Sequence, residues 1–537
     1  IMLQEIIIEK TSNFWIDNGI VGLYKVLRLL PQAKDFDIRL ESDKLEIKAL
    51  DDSFDVADFL NKAKDHVAQQ YLKKTENYGW ILKNDGEFEV YRKTDFKMHL
   101  KPFFKGKKPN TEGAICTPDA NDKENVRLMN NEEYSRFLSF QEKISSNISE
   151  KIKLDKRGFI NSPPKYEIGS NFTEEFLKKG GKVCLFSGKQ FKNANTITGM
   201  NYPFLTGNSG ELNFDSALKV KPKISALYDF VSLFSFYNLN YLIQDNLKHY
   251  FILYDDNLKE LESFYDIINA NINNLAKPDF CNFETQIIGT QYESESLFNF
   301  LLSVYAQVNQ RINKDKRRGI LLSKSVFTLS NDDNIFRDVK EYTSLNAFFE
   351  LLDCFENYKD DERSYREPFL NFIRYFSQRL DSGKYDTTWR NRLCSDILSF
   401  RSILKTVEWF LGEVKIKEDK GNIVFLDKII EIYNFKTQKN MKAEMVDICK
   451  AVGNRIGAYC RENDDKGILF SIRNAKSRTE FLNVLAETQF RTGVSYSETF
   501  FKELPDNSQW EEYKALVSIF AMNSFLFKES KIKENNK

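Results

Sequence analysis

From Met445 to Cys460 the apolar residues Met445, Ile448, Cys449, Val452, Ile456, Tyr459 and Cys460 recur at i, i+3, i+4 and i+7. That spacing lines one face of an α-helix. Gly453 and Gly457 lie one turn apart in the same stretch, and with no Cβ at either position a second helix can approach closely. This part of the chain therefore reads as a helix that a partner helix can approach closely. Two further segments support that reading. Ser477-Arg-Thr-Glu480 has the form of a capping box, ahead of Phe481, Val484, Leu485 and Phe490. Tyr513, Leu516, Val517, Phe520, Ser524 and Phe527 make a last helical stripe. The pattern turns helical from about residue 340, and residues 386–537 read as an all-α helical bundle. The polar tail Lys528–Lys537 is expected to fray.

The rest of the chain has the means to bury a core. Of 537 residues 42% are hydrophobic, with 46 Phe and 24 Tyr, which excludes a disordered or fibrous chain. Only 11 Pro and 23 Gly favour helices over turn-rich β structure. Lys plus Arg and Asp plus Glu are each 78, so no global field draws in a nucleic acid and any such contact needs local patches. Seven Cys without regular spacing argue against a disulfide framework and for a reducing compartment. Residues 2–10 lack the pattern of a signal peptide. The longest apolar stretch, Phe230–Gln244, is shorter than the ~18 residues of a membrane span. The expectation is a cytoplasmic chain with no membrane partner.

Residues 1–385 read as a mixed, loop-rich α/β domain, giving an α+β fold overall. Asp17-Asn18-Gly19 is turn chemistry, with Asp17 or Asn18 capping a helix through Leu23, Val26, Leu27 and Leu30 that Pro31 stops. Strands are expected at Lys44–Leu50, Glu87–Arg92, Tyr250–Tyr254 and Phe283–Gly289. Helices are expected at about Val56–Lys74 and Glu132–Ile152, and residues 105–125 read as loop. Phe176–Gly210 stands apart, with five Lys, six Gly, four Asn and no acid in 35 residues. About five acids would be expected at the chain's average frequency. Gly, Asn and Thr punctuate it throughout, so it reads as a long positively charged loop region.

Catalytic motifs are missing. There is no Gly-x-Ser-x-Gly, no His-Glu-x-x-His and no Gly-Gly-Asp-Asp. Gly188-Lys189 fails as a P-loop because Val183 and Gln190 stand where Gly and Ser or Thr are needed. His66, His99 and His249 are scattered, so no enzyme is expected. Cys184-Leu-Phe-Ser187-Gly188 has the setting of a zinc knuckle. Ser187 replaces the second Cys and no second pair follows, so a buried free thiol is the expectation and zinc or any other cofactor is not. The basic loops are the better signal, because Lys and Arg bind phosphates while Asn, Gln, Ser and Thr reach base edges. The clusters are Lys97–Lys108, the 176–210 segment and Arg311–Arg318.

Three stretches together resemble the large subunit of the type I-B CRISPR Cascade complex, in its Cys-x-x-Cys-knuckle branch. One is the opening Phe14-Trp15-Ile16-Asp17-Asn18-Gly19-Ile20-Val21-Gly22-Leu23. Another is Lys182-Val183-Cys184-Leu185-Phe186-Ser187-Gly188, which is similar to the knuckle in a degenerate form. The third is Gly453-Asn-Arg455-Ile-Gly457, then Lys466-Gly-Ile-Leu-Phe-Ser-Ile-Arg473-Asn-Ala-Lys476, then Glu480-Phe481-Leu482. The resemblance implies a non-catalytic subunit of an RNA-guided antiviral complex. Its N-terminal domain would read the protospacer-adjacent motif in duplex DNA beside the CRISPR RNA handle and help open the strands. Its C-terminal bundle would resemble a small subunit and line the path of the displaced strand. The implied partners are CRISPR RNA, target double-stranded DNA, the backbone and small subunits of Cascade, and the CRISPR helicase-nuclease.

Within that frame the residues expected to read the motif are Lys189, Gln190, Lys192, Asn193, Asn195, Thr196 and Asn201. Those expected on the nucleic-acid backbone are Lys105, Lys107, Lys108, Arg317 and Arg318. Arg455, Arg461, Arg473, Lys476 and Arg478 are expected along the displaced strand. Two other classes stay open: a structural interaction protein that does not touch DNA, and a metal-dependent nuclease using scattered acids.

Overall fold

The structure is a computed structural model that describes residues 2–103, 115–117, 126–147, 154, 157–164, 166, 168–198, 202–204, 222–244, 247–269, 280–332, 335–358, 363–418, 421–437, 443–493, 495–503 and 509–527. It has the expected α+β composition, and its helix-rich region is C-terminal. The chain divides into two compact units. The first is Ile1–Phe283 with Ser323–Tyr342, and the second is Glu284–Leu322 with Thr343–Lys537. The boundary expected at 385/386 thus falls inside the second unit.

In the first unit β1 (Glu5–Glu9), β2 (Phe36–Leu40) and β3 (Lys44–Ala49) form an antiparallel sheet in the order β1-β3-β2. Helix α1 (Phe14–Leu29) leaves β1 through a cap at Asn13, whose side chain accepts from the Trp15 and Ile16 N–H groups at 3.1 and 3.2 Å. The expected cap at Asp17 or Asn18 is therefore displaced. Both residues sit inside α1 and are fully buried. Asn18 donates to the Phe14 and Leu253 carbonyls at 2.8 and 2.9 Å and accepts from the Tyr265 hydroxyl at 2.6 Å. Partners for every polar atom make a buried Asn tolerable in a helix. Gly19 follows for a packing reason: a Cβ there would lie 2.5 Å from the Val231 carbonyl oxygen.

Helix α2 (Val56–Tyr71), capped by Asp55, ends three residues earlier than expected because the chain turns directly into β4 (Leu72–Leu82). β4 pairs with β5 (Phe88–Phe96) in a five-stranded sheet that β6 (Ile115–Thr117), β7 (Val126–Leu128) and β8 (Gly158–Ile160) complete, in the order β5-β4-β8-β6-β7. β6 replaces part of the loop expected over 105–125, most of which lies outside the described residues. α3 (Asn131–Asn147) lays Phe137 on Trp80 at 4.7 Å between ring centroids, and Leu82, Cys116 and Leu154 fill the same core.

Next come two short antiparallel pairs, β9 (Lys182–Val183) with β10 (Gln190–Phe191) and β11 (Ala194–Thr196) with β12 (Lys223–Ser225), then α4 (Ala226–Ser232). A four-stranded antiparallel sheet follows, with β13 (Asn240–Gln244), β14 (Leu247–Tyr254), β15 (Ser325–Asp332) and β16 (Ile335–Tyr342) in sequence order. β14 contains the expected strand Tyr250–Tyr254, and α5 (Leu258–Asn269) comes after it. At the open end of β14 a buried ion pair joins Lys324 to Asp255 at 2.6 Å and fastens the late hairpin to the early strands.

The second unit is helical. Phe283–Gly289, expected as a strand, is irregular. Asn299 satisfies it instead, accepting from the Gln286 and Ile287 N–H groups at 2.9 and 3.2 Å and donating to the Ile287 carbonyl at 2.8 Å. Asn299 lies on α6 (Glu293–Arg311), which α7 (Lys314–Leu321), α8 (Leu345–Glu356) and α9 (Arg366–Tyr375) follow. A two-residue hairpin, β17 (Gln378–Arg379) and β18 (Tyr385–Asp386), leads to α10 (Thr388–Leu398). There Arg390 meets the fully buried Glu295 of α6 at 2.5 Å. α11 (Leu404–Phe410) runs through a π turn at Leu411–Lys415 into α12 (Ile416–Glu418).

α13 (Leu426–Thr437), α14 (Ala443–Glu462), α15 (Lys466–Asn474), α16 (Arg478–Thr492), α17 (Glu498–Glu503) and α18 (Trp510–Phe525) complete the unit. The close helix pair expected at Gly453 and Gly457 is α14 on α18. A Cβ at Gly453 would lie 2.6 Å from the Val517 carbonyl oxygen, and one at Gly457 2.2 Å from that of Ala521. The Ser477 cap also holds, its hydroxyl accepting from the Glu480 N–H at 3.2 Å. Phe490 departs from the expected stripe and is 92% exposed. It falls nine residues after the buried Phe481, and at about 100° per residue that is the opposite face of α16.

Candidate nucleic-acid interface

The acid-free segment folds into an exposed β platform in the first unit. Val183 pairs with Gln190 and Lys182 with Phe191. The turn between the strands closes with the Gly188 N–H on the Cys184 carbonyl and the Cys184 N–H on the Lys189 carbonyl, both at 2.9 Å. Gly188 takes φ +67°, a conformation that strongly favours glycine. The Leu185 N–H donates to the Lys223 carbonyl at 2.8 Å, and the Lys192 N–H to that of Lys178 at 2.8 Å, tying the hairpin to β12 and to its own approach. Further on, Tyr202 accepts from the Asn13 side chain at 3.2 Å, and the Phe204 ring packs 5.0 Å from Trp15.

Burial sorts the side chains. Cys184, Phe191, Ile197 and Ile224 point inward and are buried. Lys182, Gln190, Lys192, Asn195 and Thr196 are exposed, as is Lys189 in the turn, and Asn193 is half-buried. Six of the seven residues expected to read a motif thus fall within eight positions, but the strand pairing divides them between both faces: Gln190 lies opposite Val183, Asn195 opposite the buried Ile224 and Thr196 opposite Lys223. Asn201, like Lys105, Lys107 and Lys108, lies outside the described residues.

Acids from outside the segment lie against this platform. Lys189 pairs with Glu9 of β1, and Lys192 with Glu175 at 3.0 Å, a carboxylate that Lys178 also engages. Both lysines draw the Glu175 carboxyl below the usual range, Lys178 most strongly. Asn195 donates to Asp229 of α4 at 2.7 Å, and Asn193 to the Glu175 carbonyl at 3.3 Å. Reading the sequence alone missed Glu9 and Asp229, which lie 180 and 34 residues from their partners. Lys179, Lys182 and Lys223 have no acidic partner among the described residues. Exposed ion pairs of this kind are weak, so a phosphate can displace the carboxylates at small cost.

In the second unit the expected basic residues separate into two groups. Arg317 is buried against Asp353 and also donates to Asn309 at 2.5 Å, so it is part of the unit's interior rather than a backbone contact. Arg473 is likewise committed. Its side chain is 9% exposed, pairs with Glu413 at 2.8 Å and lies 5.1 Å from the ring centroids of both Trp409 and Phe470. Arg461 donates to the Ser524 and Phe527 carbonyls at the end of α18, at 3.1 and 3.3 Å, and Arg455 to the Ser495 carbonyl at 3.3 Å. Arg318, Lys476 and Arg478 are exposed; Lys436 and, at longer range, Arg318 hold the Glu350 carboxyl below its usual range, and the Lys476 N–H donates to the Glu480 carboxylate at 2.8 Å.

Cys184 is a buried free thiol, and among the described residues no group of three or more His, Cys, Asp or Glu is placed to hold a metal ion. No described helix is long and apolar enough to cross a membrane. No known protein family matches the chain, and no curated protein matches it significantly.

Proposed function

We propose that the chain is the non-catalytic large subunit of an RNA-guided antiviral complex similar to type I-B CRISPR Cascade. In this reading it recognises the protospacer-adjacent motif in duplex DNA, helps open the strands and recruits the helicase-nuclease. The observation that supports it most is the exposed β platform, a short stretch of chain in which Gln190, Asn195 and Thr196 are exposed together with Lys182, Lys189 and Lys192. Amide and hydroxyl groups supply donors and acceptors for base edges, and the lysines supply phosphate contacts. A subunit that leaves sequence reading to guide pairing needs only such a small reader. The chain's partners on this reading are CRISPR RNA, target DNA and the other Cascade subunits.

The ion pairs of Lys189 with Glu9 and Lys192 with Glu175 favour a second reading, an interaction protein that does not touch DNA. One titration separates the two. Guide-loaded complex is assembled with and without the chain and titrated with duplexes carrying a randomised flank, at fixed salt because phosphate contacts are salt-sensitive. The motif reader tightens binding and enriches particular flank bases, and Lys189→Glu with Lys192→Glu abolishes the enrichment. Unchanged affinity and flank preference with the chain present would leave the interaction protein as the better reading.

A further inference from the structure

Three carboxylates from outside the acid-free segment reach its polar side chains, and the fold holds each of them there. Glu9 ends β1 and pairs with Lys189. Its carbonyl accepts from the Tyr228 hydroxyl at 2.9 Å, which fastens β1 to α4. Asp229, the next residue of α4, accepts from Asn195 at 2.7 Å. The Ala226 N–H at the start of that helix donates to the Asn193 carbonyl at 3.0 Å, so α4 and the platform are joined through backbone as well. Glu175, just ahead of the segment, takes Lys178 and Lys192 together, and Glu174 beside it adds to the negative field on Lys178. Both ion pairs of the platform are open to solvent, so a phosphate can take either lysine without any rearrangement of the fold.

We infer that Glu9, Glu175 and Asp229 are a built-in screen on this platform: they occupy Lys189, Lys192 and Asn195 in the free chain and lower its affinity for DNA of arbitrary sequence. Binding to arbitrary duplex is made almost wholly of cation–phosphate contacts, so cancelling two lysines removes a large share of it. A duplex that carries the right motif also offers base edges, and contacts to these offset the displacement of the carboxylates. Repulsion aimed at the wrong partner gives specificity where the attraction itself is generic. Lys179, Lys182 and Lys223, with no acidic partner among the described residues, keep enough positive charge for first encounter. The ion pairs that count against DNA contact thereby become part of how DNA is chosen. The inference rests on the motif-reading proposal and adds the regulation of that same site.

The test uses the full chain and a fluorescein-labelled duplex of random sequence, with binding followed by anisotropy over a salt series. Glu9→Gln combined with Glu175→Gln is expected to tighten binding about tenfold at low salt and to steepen the fall of log affinity with log salt by about one to two. Asp229→Asn tightens it less, because it frees an amide and not a cation. In a Lys189→Gln background Glu9→Gln changes nothing, which separates release of the lysine from a general change in charge. Glu498→Gln, which breaks an exposed ion pair with Lys502 elsewhere, also changes nothing. Equal thermal unfolding of the variants shows that folding is intact. Binding by the Glu9→Gln, Glu175→Gln chain that is no tighter than wild type overturns the inference, as does an equal gain in the Lys189→Gln background. Flank-base selection by the guide-loaded complex is read in parallel. Selection retained with no gain on random duplex leaves the motif reader standing without a screen. A gain on random duplex with no selection leaves the acids as a mask over a basic surface and removes the motif reader, and no binding by any of these chains overturns both.

Discussion

Asp17 lies inside α1 and accepts from the Thr11 N–H and hydroxyl at 2.8 and 3.0 Å. Burial outweighs these bonds and the nearby Lys10 and pushes its carboxyl up to about 6, from an ordinary 3.8. The folded chain thus holds this proton more tightly than the unfolded chain does. The stability this gives is complete below about pH 4 and is lost as the pH rises to about 6, an effect of at most ~3 kcal/mol. Asp17→Asn keeps an oxygen for Thr11 and has no charge to desolvate. It is expected to raise stability over the wild type at pH 7.5 and by clearly less at pH 4.5, measured by urea unfolding at both values. An equal change at the two pH values would remove burial of the charge as the cause. Little of this was legible in the sequence, where Asp17-Asn18-Gly19 has the composition of a turn. The groups that make those residues helical and buried come from Leu253, Tyr254 and Tyr265, more than 230 residues away. The lysines at 189 and 192 were legible as surface charges, but Glu9 was not legible as a partner for the same reason.

Helices show the opposite balance. The stripe from Met445 to Cys460 and its two glycines are local facts, and they were enough to anticipate a close helix pair. The identity of the partner helix, α18, was less specified, although its own stripe was visible. The pair makes a prediction about sign. Gly319 is an exposed position of α7, and a Cβ added there would meet nothing within 4 Å, whereas one added at Gly457 would meet backbone 2.2 Å away. Ala has the higher helix propensity, so Gly319→Ala should stabilise the protein by up to ~1 kcal/mol. Gly457→Ala should destabilise it by ~1–3 kcal/mol, since the Ala521 backbone must move and that crowding exceeds the gain in propensity. Thermal unfolding of the two variants checks this, and a stabilising Gly457→Ala would mean that α14 and α18 are not packed at that distance. Phe490 marks the limit of reading by pattern, because counting residues along α16 places it off the stripe, yet its apolar character alone suggested burial.

At the scale of the whole chain, the division into units could not be read from composition, because the first unit is discontinuous in sequence. β15 and β16 belong with β13 and β14, although α6 and α7 intervene. The helical signal after residue 340 suggested a bundle beginning at 386, but the unit's interior extends further back. Arg390 on α10 is 4% exposed and its partner is Glu295 on α6, while Phe376, just after α9, stacks on Phe410 of α11 at 4.3 Å. A fragment of residues 386–537 would keep Arg390 without its carboxylate and uncover Phe410. Losing one partner of a buried ion pair alone costs about 3–5 kcal/mol. The alternative fragment is residues 284–537 with 323–342 replaced by a flexible linker. Such a linker is geometrically simple because Val326 pairs directly with Tyr342, so the two ends of the excised hairpin lie close together. About eight linker residues span the gap between Leu322 and Thr343. The linked fragment is expected to show near-ultraviolet circular dichroism and a cooperative thermal transition, while 386–537 shows helical far-ultraviolet signal without either. If 386–537 melts as cooperatively as the linked fragment, then Glu295 and α9 are dispensable and the bundle from 386 onward is the true folding unit.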